Sequence, residues 1–213
     1  LLSYWAIVNS GTRCGIVEPN YLNNNRIVGG GEAQPHEYPW IAYIQSVYVS
    51  TIPGDTRELI DSCDGSLIED QWIVSAAHCF STPNGFKSQQ VMVALGAHNL
   101  ANKAETRLIL KPEHVCSLIY FLFALKVIYI IRNVHFRDGV VASKYDISMI
   151  KLPQRLDLGN EHYHITPICL PHVGEQISKT DCQSIGWGKI SAYGSSSNAL
   201  KYVTHPIIHV DEC

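Results

Sequence analysis

Residues 72–80, "WIVSAAHCF", place a single imidazole, His78, between an apolar run and a thiol. An imidazole can take up and return a proton near neutral pH, which makes His78 a candidate general base, although a lone histidine beside an apolar strand is more often packed or simply exposed. Cys63 and Cys79 flank a hairpin spanning 65–77, and a bridge between them would clamp the loop that holds His78. Farther along, "YDISMIKL" sets Asp146 just ahead of an alternating strand. An aspartate there commonly caps a turn. Set against an imidazole, the same carboxylate fixes the ring tautomer and stabilises the imidazolium during nucleophilic hydrolysis. Neither residue is itself a nucleophile.

The segments that must position these groups read as short β-runs: "WIAYIQSVYV", "GSLI", "QWIVSAA", "VMVALGAHNL", "TRLIL", "KVIYIIRN" and "ISMIKL". They are rich in β-branched and aromatic residues and are separated by turn signals, which predicts an all-β barrel or sandwich. Pro167 and Pro171 bracket Cys169 in a stretch of lower hydrophobic density, a connector, and a second unit starts near Lys179.

With 213 residues, 46% of them hydrophobic and 16% charged, the chain can bury a sizeable core. A net charge of -3 gives no basic footprint, so no nucleic acid or anionic lipid partner is expected. Seven cysteines suit a secreted, extracellular disulfide protein, and their odd number requires an explanation. The opening "LLSYWAIVNSG" reads as a remnant of a signal peptide or pro-segment. No N-x-[ST] sequon occurs. "HYH", 162–164, offers two imidazoles but no further ligand at zinc-site spacing, so no metal or other cofactor is expected, and these residues read as polar surface.

One block departs from its surroundings. "HVCSLIYFLFALKVIYII", 114–131, is almost continuously apolar with Lys126 as its one formal charge. A membrane span needs about 20 apolar residues, so membrane insertion is not the expectation here. Two buried strands, or surplus sequence from an unspliced intron, are the other readings.

Taken in order, "RIVGGGEAQPHEYPW", "SAAHC", "YDISMIKL", "PICLP" and "CQSIGWG" closely resemble the secreted trypsin/chymotrypsin-like serine endopeptidases in zymogen form. The resemblance implies an all-β fold of two six-stranded β-barrels, the first near complete and the second truncated. It divides the chain into a signal or pro-segment remnant at 1–26 and a partial protease domain at 27–213. Within that domain, the first barrel would cover about 41–152, the connector about 153–178 and the start of the second barrel about 179–213, with a foreign insertion at about 113–125. It implies that His78 is the general base and Asp146 its orienting acid. Cleavage between Arg26 and Ile27 by an upstream trypsin-like protease would activate the zymogen by freeing the Ile27 amine, which the family folds onto a buried aspartate. The resemblance further pairs Cys63 with Cys79 and Cys14 with Cys169, orphans Cys182 and Cys213, and leaves Cys116 inside the extra apolar block.

The family's nucleophile sits in "GDSGGP", and neither that motif nor any G-x-S-x-G occurs in these residues. "AYGSSSNAL" supplies Ser195, Ser196 and Ser197, but its composition is that of a surface loop. The expectation is therefore a serine endopeptidase acting on protein or peptide substrates whose present chain is inactive alone. A homologue without the serine, serving as a binding or regulatory cofactor, is the alternative. The segment "STIPGDTRELIDS" is expected to form an exposed loop at the cleft rim, where substrates and protease inhibitors would make contact.

Overall fold

A computed structural model describes residues 14–17, 30–102, 108–110, 130–132, 145–175, 181–191 and 193–207. Arg26, Ile27, Cys116, Cys213 and the segment 113–125 lie outside the described residues. Ten strands are described: β1 (Gly31–Glu32), β2 (Ile41–Ser50), β3 (Glu58–Glu69), β4 (Trp72–Ser75), β5 (Phe86–Leu95), β6 (Leu108–Leu110), β7 (Ile130–Arg132), β8 (Ser148–Lys151), β9 (Asp181–Gly186) and β10 (Lys201–Pro206). Among the described residues there is no α-helix, only a 3-10 turn at His78–Phe80. No helix there is long and apolar enough to cross a membrane.

Seven strands form one antiparallel sheet in the order β6-β5-β2-β3-β4-β8-β7, and β1-β10-β9 form a second. β2 holds the larger sheet together because its Ile, Val and Tyr residues favour a pleated surface, and it pairs with β3 on one side and β5 on the other. Its Ile44 lies opposite both Cys63 and Val93. A register shift at Val47/Tyr48 bends the strand. The inward positions of this sheet, with Leu67, Ile73, Val91, Leu95, Ile130 and Ile150 among them, bury a single apolar core. The larger sheet curls around this core, and the three-stranded sheet forms a second β-unit.

A smaller cluster of Ala33, Tyr38, Ile41, Ala97, Trp187 and Leu200 joins the two sheets, and Trp40 packs against both cores. Backbone bonds from Leu100 N to Asn198 O and from Leu200 N to His98 O reinforce the joint. Trp187 Nε1 also donates to His98 O at 3.0 Å, which satisfies the polar edge of a buried indole.

Two expectations need correction. The expected rim loop is a turn only over 51–57; from Glu58 the chain is already β3, paired Val49 to Glu58 and Val47 to Ile60, although its side chains remain exposed. The hydrogen-bonding capacity of the extended β2 recruits it into a ribbon. The "HYH" segment is likewise not uniformly surface. His162 is only 9% exposed and His164 is half-buried, while Tyr163 points outward. Within the connector, the His164 ring lies across Gly96 and meets the His36 ring at 5.0 Å.

Candidate active site

His78 begins the 3-10 turn that follows β4, and Cys79 directly after it is bonded to Cys63 on β3, with Cα atoms 6.0 Å apart. The bridge and the buried Phe80 anchor the turn from one side while the imidazole stays largely in solvent, its side chain 62% exposed. Ser75 at the end of β4 donates to Asp64 O at 2.9 Å, which closes the same hairpin above the disulfide.

Asp146 comes from the other direction, at the entry to β8. Tyr145 before it takes a left-handed φ of 67°, and Ile147 N donates to Tyr145 O at 2.8 Å, so the carboxylate is presented from a tight turn. β8 pairs with β4, with Ser148 opposite Ser75. The buried Ser148 hydroxyl donates to Ala76 O at 2.9 Å, pinning the aspartate strand to the chain just before His78.

The result is a two-point contact. His78 N donates to Asp146 Oδ1 at 2.9 Å, and His78 Nδ1 lies 2.7 Å from Asp146 Oδ2. With the carboxylate ionised, Nδ1 carries the proton and Nε2 keeps the basic lone pair. Partial burial works against the Asp146 charge, but the hydrogen bonds from the His78 ring, the His78 amide and the Ala77 amide outweigh it and hold this carboxyl below the usual range. A strand end thus carries a base of fixed tautomer, aimed by an acid that remains charged.

His78 also lies close to Sγ of both Cys63 and Cys79, but those sulfurs are joined to each other and offer no thiolate, so the trio is not a metal-binding set. Cys14 is bonded to Cys169, with Cα atoms 5.0 Å apart, and Gly15 N donates to Pro167 O at 2.7 Å, which fastens the amino-terminal segment to the connector. Cys182 is an exposed free thiol on β9. Ser195, Ser196 and Ser197 lie in the β9–β10 connection, where Ser197 Oγ donates to Ala199 O at 2.7 Å.

Sequence reading passed over Asp64, the residue that follows Cys63. Its carboxyl lies half-buried against Gly186 and takes one hydrogen bond, from Trp187 N at 3.3 Å. Burial pushes it up to about 6, and that single amide bond offsets little of the effect. Nothing in "CDGSLI" marked it out, since β3 also carries Glu58, Asp61 and Glu69. Ser75 and Ser148 were missed as well, since a serine in a strand carries no mark of the carbonyl it will meet.

Comparison with known proteins identifies relatives of the chain. A family profile described as Trypsin matches residues 27–213. Ovochymase-2 of Mus musculus is 27% identical over 207 residues, covering 94% of this chain and 29% of the relative. Coagulation factor IX of Cavia porcellus is 27% identical over 193 residues, covering 88% of this chain and 55% of the relative. Chymotrypsin-like elastase family member 3A of Homo sapiens is 26% identical over 200 residues, covering 93% and 64% respectively. A solved structure titled "Structure of GrC" superposes with a TM-score of 0.58 at 25% identity, covering 84% of this chain and 64% of that one. This chain therefore spans less than two thirds of each of these relatives.

Proposed function

Because the chain belongs to the trypsin family, whose profile it matches over residues 27–213, we propose that it carries the base and acid of a secreted serine-type endopeptidase. The observation behind this reading is the two-point contact between His78 and Asp146, with distances of 2.9 and 2.7 Å. In a serine hydrolase, Nε2 removes the hydroxyl proton as the oxygen attacks the peptide carbonyl, and then delivers that proton to the leaving amine. Asp146 holds the tautomer and stabilises the imidazolium between the two transfers. Protein and peptide chains are the substrates in this reading.

Cleavage between Arg26 and Ile27 activates the zymogen, and the Cys14–Cys169 bond keeps the released amino-terminal piece attached. The exposed β2–β3 ribbon is where macromolecular inhibitors and substrates make contact. The domain division is also part of the proposal, with a first barrel over about 41–152, a connector over about 153–178 and a second unit from about 179. The block at 113–125 is read as an insertion.

Residues 1–213 contain no "GDSGG" motif, so this segment by itself is inactive. The codons following Cys213 in the transcript test the reading. Gly-Asp-Ser-Gly-Gly supports the endopeptidase, whereas Gly-Asp-Gly-Gly in its place overturns it in favour of a non-catalytic binding homologue.

A further inference from the structure

Three imidazoles that the proposed chemistry does not use lie together. The His164 ring, in the connector, meets the ring of His36, in the β1–β2 turn, at 5.0 Å, and His162 stands two residues before it, nearly covered. Gly96, just after β5, forms the floor, and a Cβ there would stand 2.9 Å from His164 Nε2. Three segments distant in sequence therefore meet at one ring. A backbone bond from Thr166 N to Pro39 O at 3.3 Å fastens the same corner, and Ile165 beside it is fully buried in the main core.

Two features make this corner responsive to protons. His164 Nε2 is buried and takes no hydrogen bond among the described residues. The backbones that enclose the ring are both left-handed, with φ of 62° at His36 and 71° at Gly96. At His36, which carries a side chain, that conformation is held by its surroundings rather than chosen locally. A proton on His164 would sit beside two further imidazoles. The titratable groups acting on it are His36, from the β1–β2 turn, and His162, from its own segment, with the exposed Tyr163 ring at 5.5 Å. None of these is an anion. Of the carboxylates close in sequence, Glu37 accepts from Gln34 N at 2.7 Å, Asp157 accepts from Asn160 Nδ2 at 3.2 Å, and Glu161 is exposed. A buried cation without a partner is costly.

We propose that this corner is an acid-sensitive latch, in which protonation lifts the His164 ring off Gly96 and parts the 34–39 turn from the connector while the apolar core beneath stays in place. Burial, and then His36 and His162, lower the His164 pKa from its ordinary 6.5. The opened form, with the ring in water, takes up the proton more readily than the closed one. The stability of the closed latch is therefore complete above about pH 6.5 and is lost as the pH falls through the lowered value. The chain is tight in neutral surroundings and loosened at this one corner in acidic ones. The latch needs no hydrolysis, so it goes beyond the endopeptidase reading.

The test is amide hydrogen exchange of the 213-residue chain between about pH 8 and pH 5, corrected for the intrinsic pH dependence of exchange. Thr166, whose amide reaches Pro39, should lose protection by about 10-fold or more on acidification, while Leu152 and Leu156, bonded to Gln71 and Asp70, keep theirs. In the unaltered chain that loss should share its midpoint with the NMR titration of His164 Cε1–H. His164→Phe keeps a ring over Gly96 and removes the titrating nitrogen, so Thr166 protection should no longer vary with pH. Flat protection in the unaltered chain, midpoints that differ, an equal loss at Leu152 and Leu156, or a pH-dependent loss that persists in folded His164→Phe would each overturn the proposal. The midpoint comparison uses the unaltered chain, so it holds even where the variant folds poorly.

Discussion

Replacing Asp64 with asparagine should stabilise the protein at neutral and alkaline pH, against the usual direction for changing a half-buried residue. The Asp64 carboxyl is raised from its ordinary 3.8 to about 6 by burial. At about 1.4 kcal/mol per pKa unit, a shift of that size corresponds to about 3 kcal/mol. Because the group is only half-buried, solvent screening lowers the effective figure to about 1–2 kcal/mol. The sign follows from proton linkage. A raised folded-state pKa means that the native protein binds more protons than the unfolded chain between about pH 4 and pH 6. The stability tied to the neutral carboxyl is fully present below about 4 and is lost as the pH rises through about 6. Asparagine keeps an acceptor for the Trp187 amide and carries no charge. In urea unfolding at pH 8, Asp64→Asn should shift the midpoint upward by about 0.5–1 M at a typical slope of roughly 2 kcal/mol/M. Below pH 4 the two proteins should unfold together. A variant that is equally or less stable at pH 8, or a gap that does not change with pH, would refute the reasoning.

Three further outcomes follow from the site and its supports. Asp146→Asn should remove the strongly deshielded Nδ1 proton resonance of His78, because the charged acceptor 2.7 Å away is gone; persistence of that resonance would contradict the pairing. In a trypsin triad, the worked case for this family, the same change lowers turnover by roughly 10⁴. The double change Cys63→Ser and Cys79→Ser should cost about 3 kcal/mol in urea unfolding, the loop-closure value for a sequence separation of 16, and an unchanged midpoint would show that the bridge contributes nothing. Gly96→Ala forces a side chain onto a backbone with φ of 71° and brings its Cβ within 2.8 Å of the His164 ring. It should destabilise by about 1–3 kcal/mol, and a neutral effect would mean that the ring is free to withdraw.

The strands were legible because apolar and β-branched residues repeat along them, and the period-2 pattern of β2 translates directly into its buried and outward faces. His78 and Asp146 were legible as candidates because each stands at a strand end in an ordered set of motifs. Their contact was not, since 68 residues separate them and only the β4–β8 pairing brings the two strand ends together. The support from Ser148 was hidden for the same reason. Its partner is a backbone carbonyl, and carbonyls leave no trace in the choice of residue.

Burial was the least legible property. "HYH" looks polar, yet His162 is nearly covered and His164 is packed on Gly96, where burial followed by the neighbouring His36 and His162 depresses its pKa. Asp64 illustrates the same difficulty in a charged residue. Nothing local reveals that β9 arrives with Gly186 and Trp187 to desolvate it, because that contact spans 123 residues of sequence. The extension of β3 back to Glu58 is a further case, since exposed side chains concealed a strand that backbone pairing alone defines.

The most direct measurement is a peptidase assay on the protein expressed from its uninterrupted gene and cut after Arg26. With His78 as general base, the protein hydrolyses members of a mixed-sequence peptide library, and His78→Ala lowers kcat by several orders of magnitude while leaving the urea midpoint in place. Equal hydrolysis by the two proteins, or none by the unaltered one, would contradict the assignment of His78 and Asp146 to proton transfer.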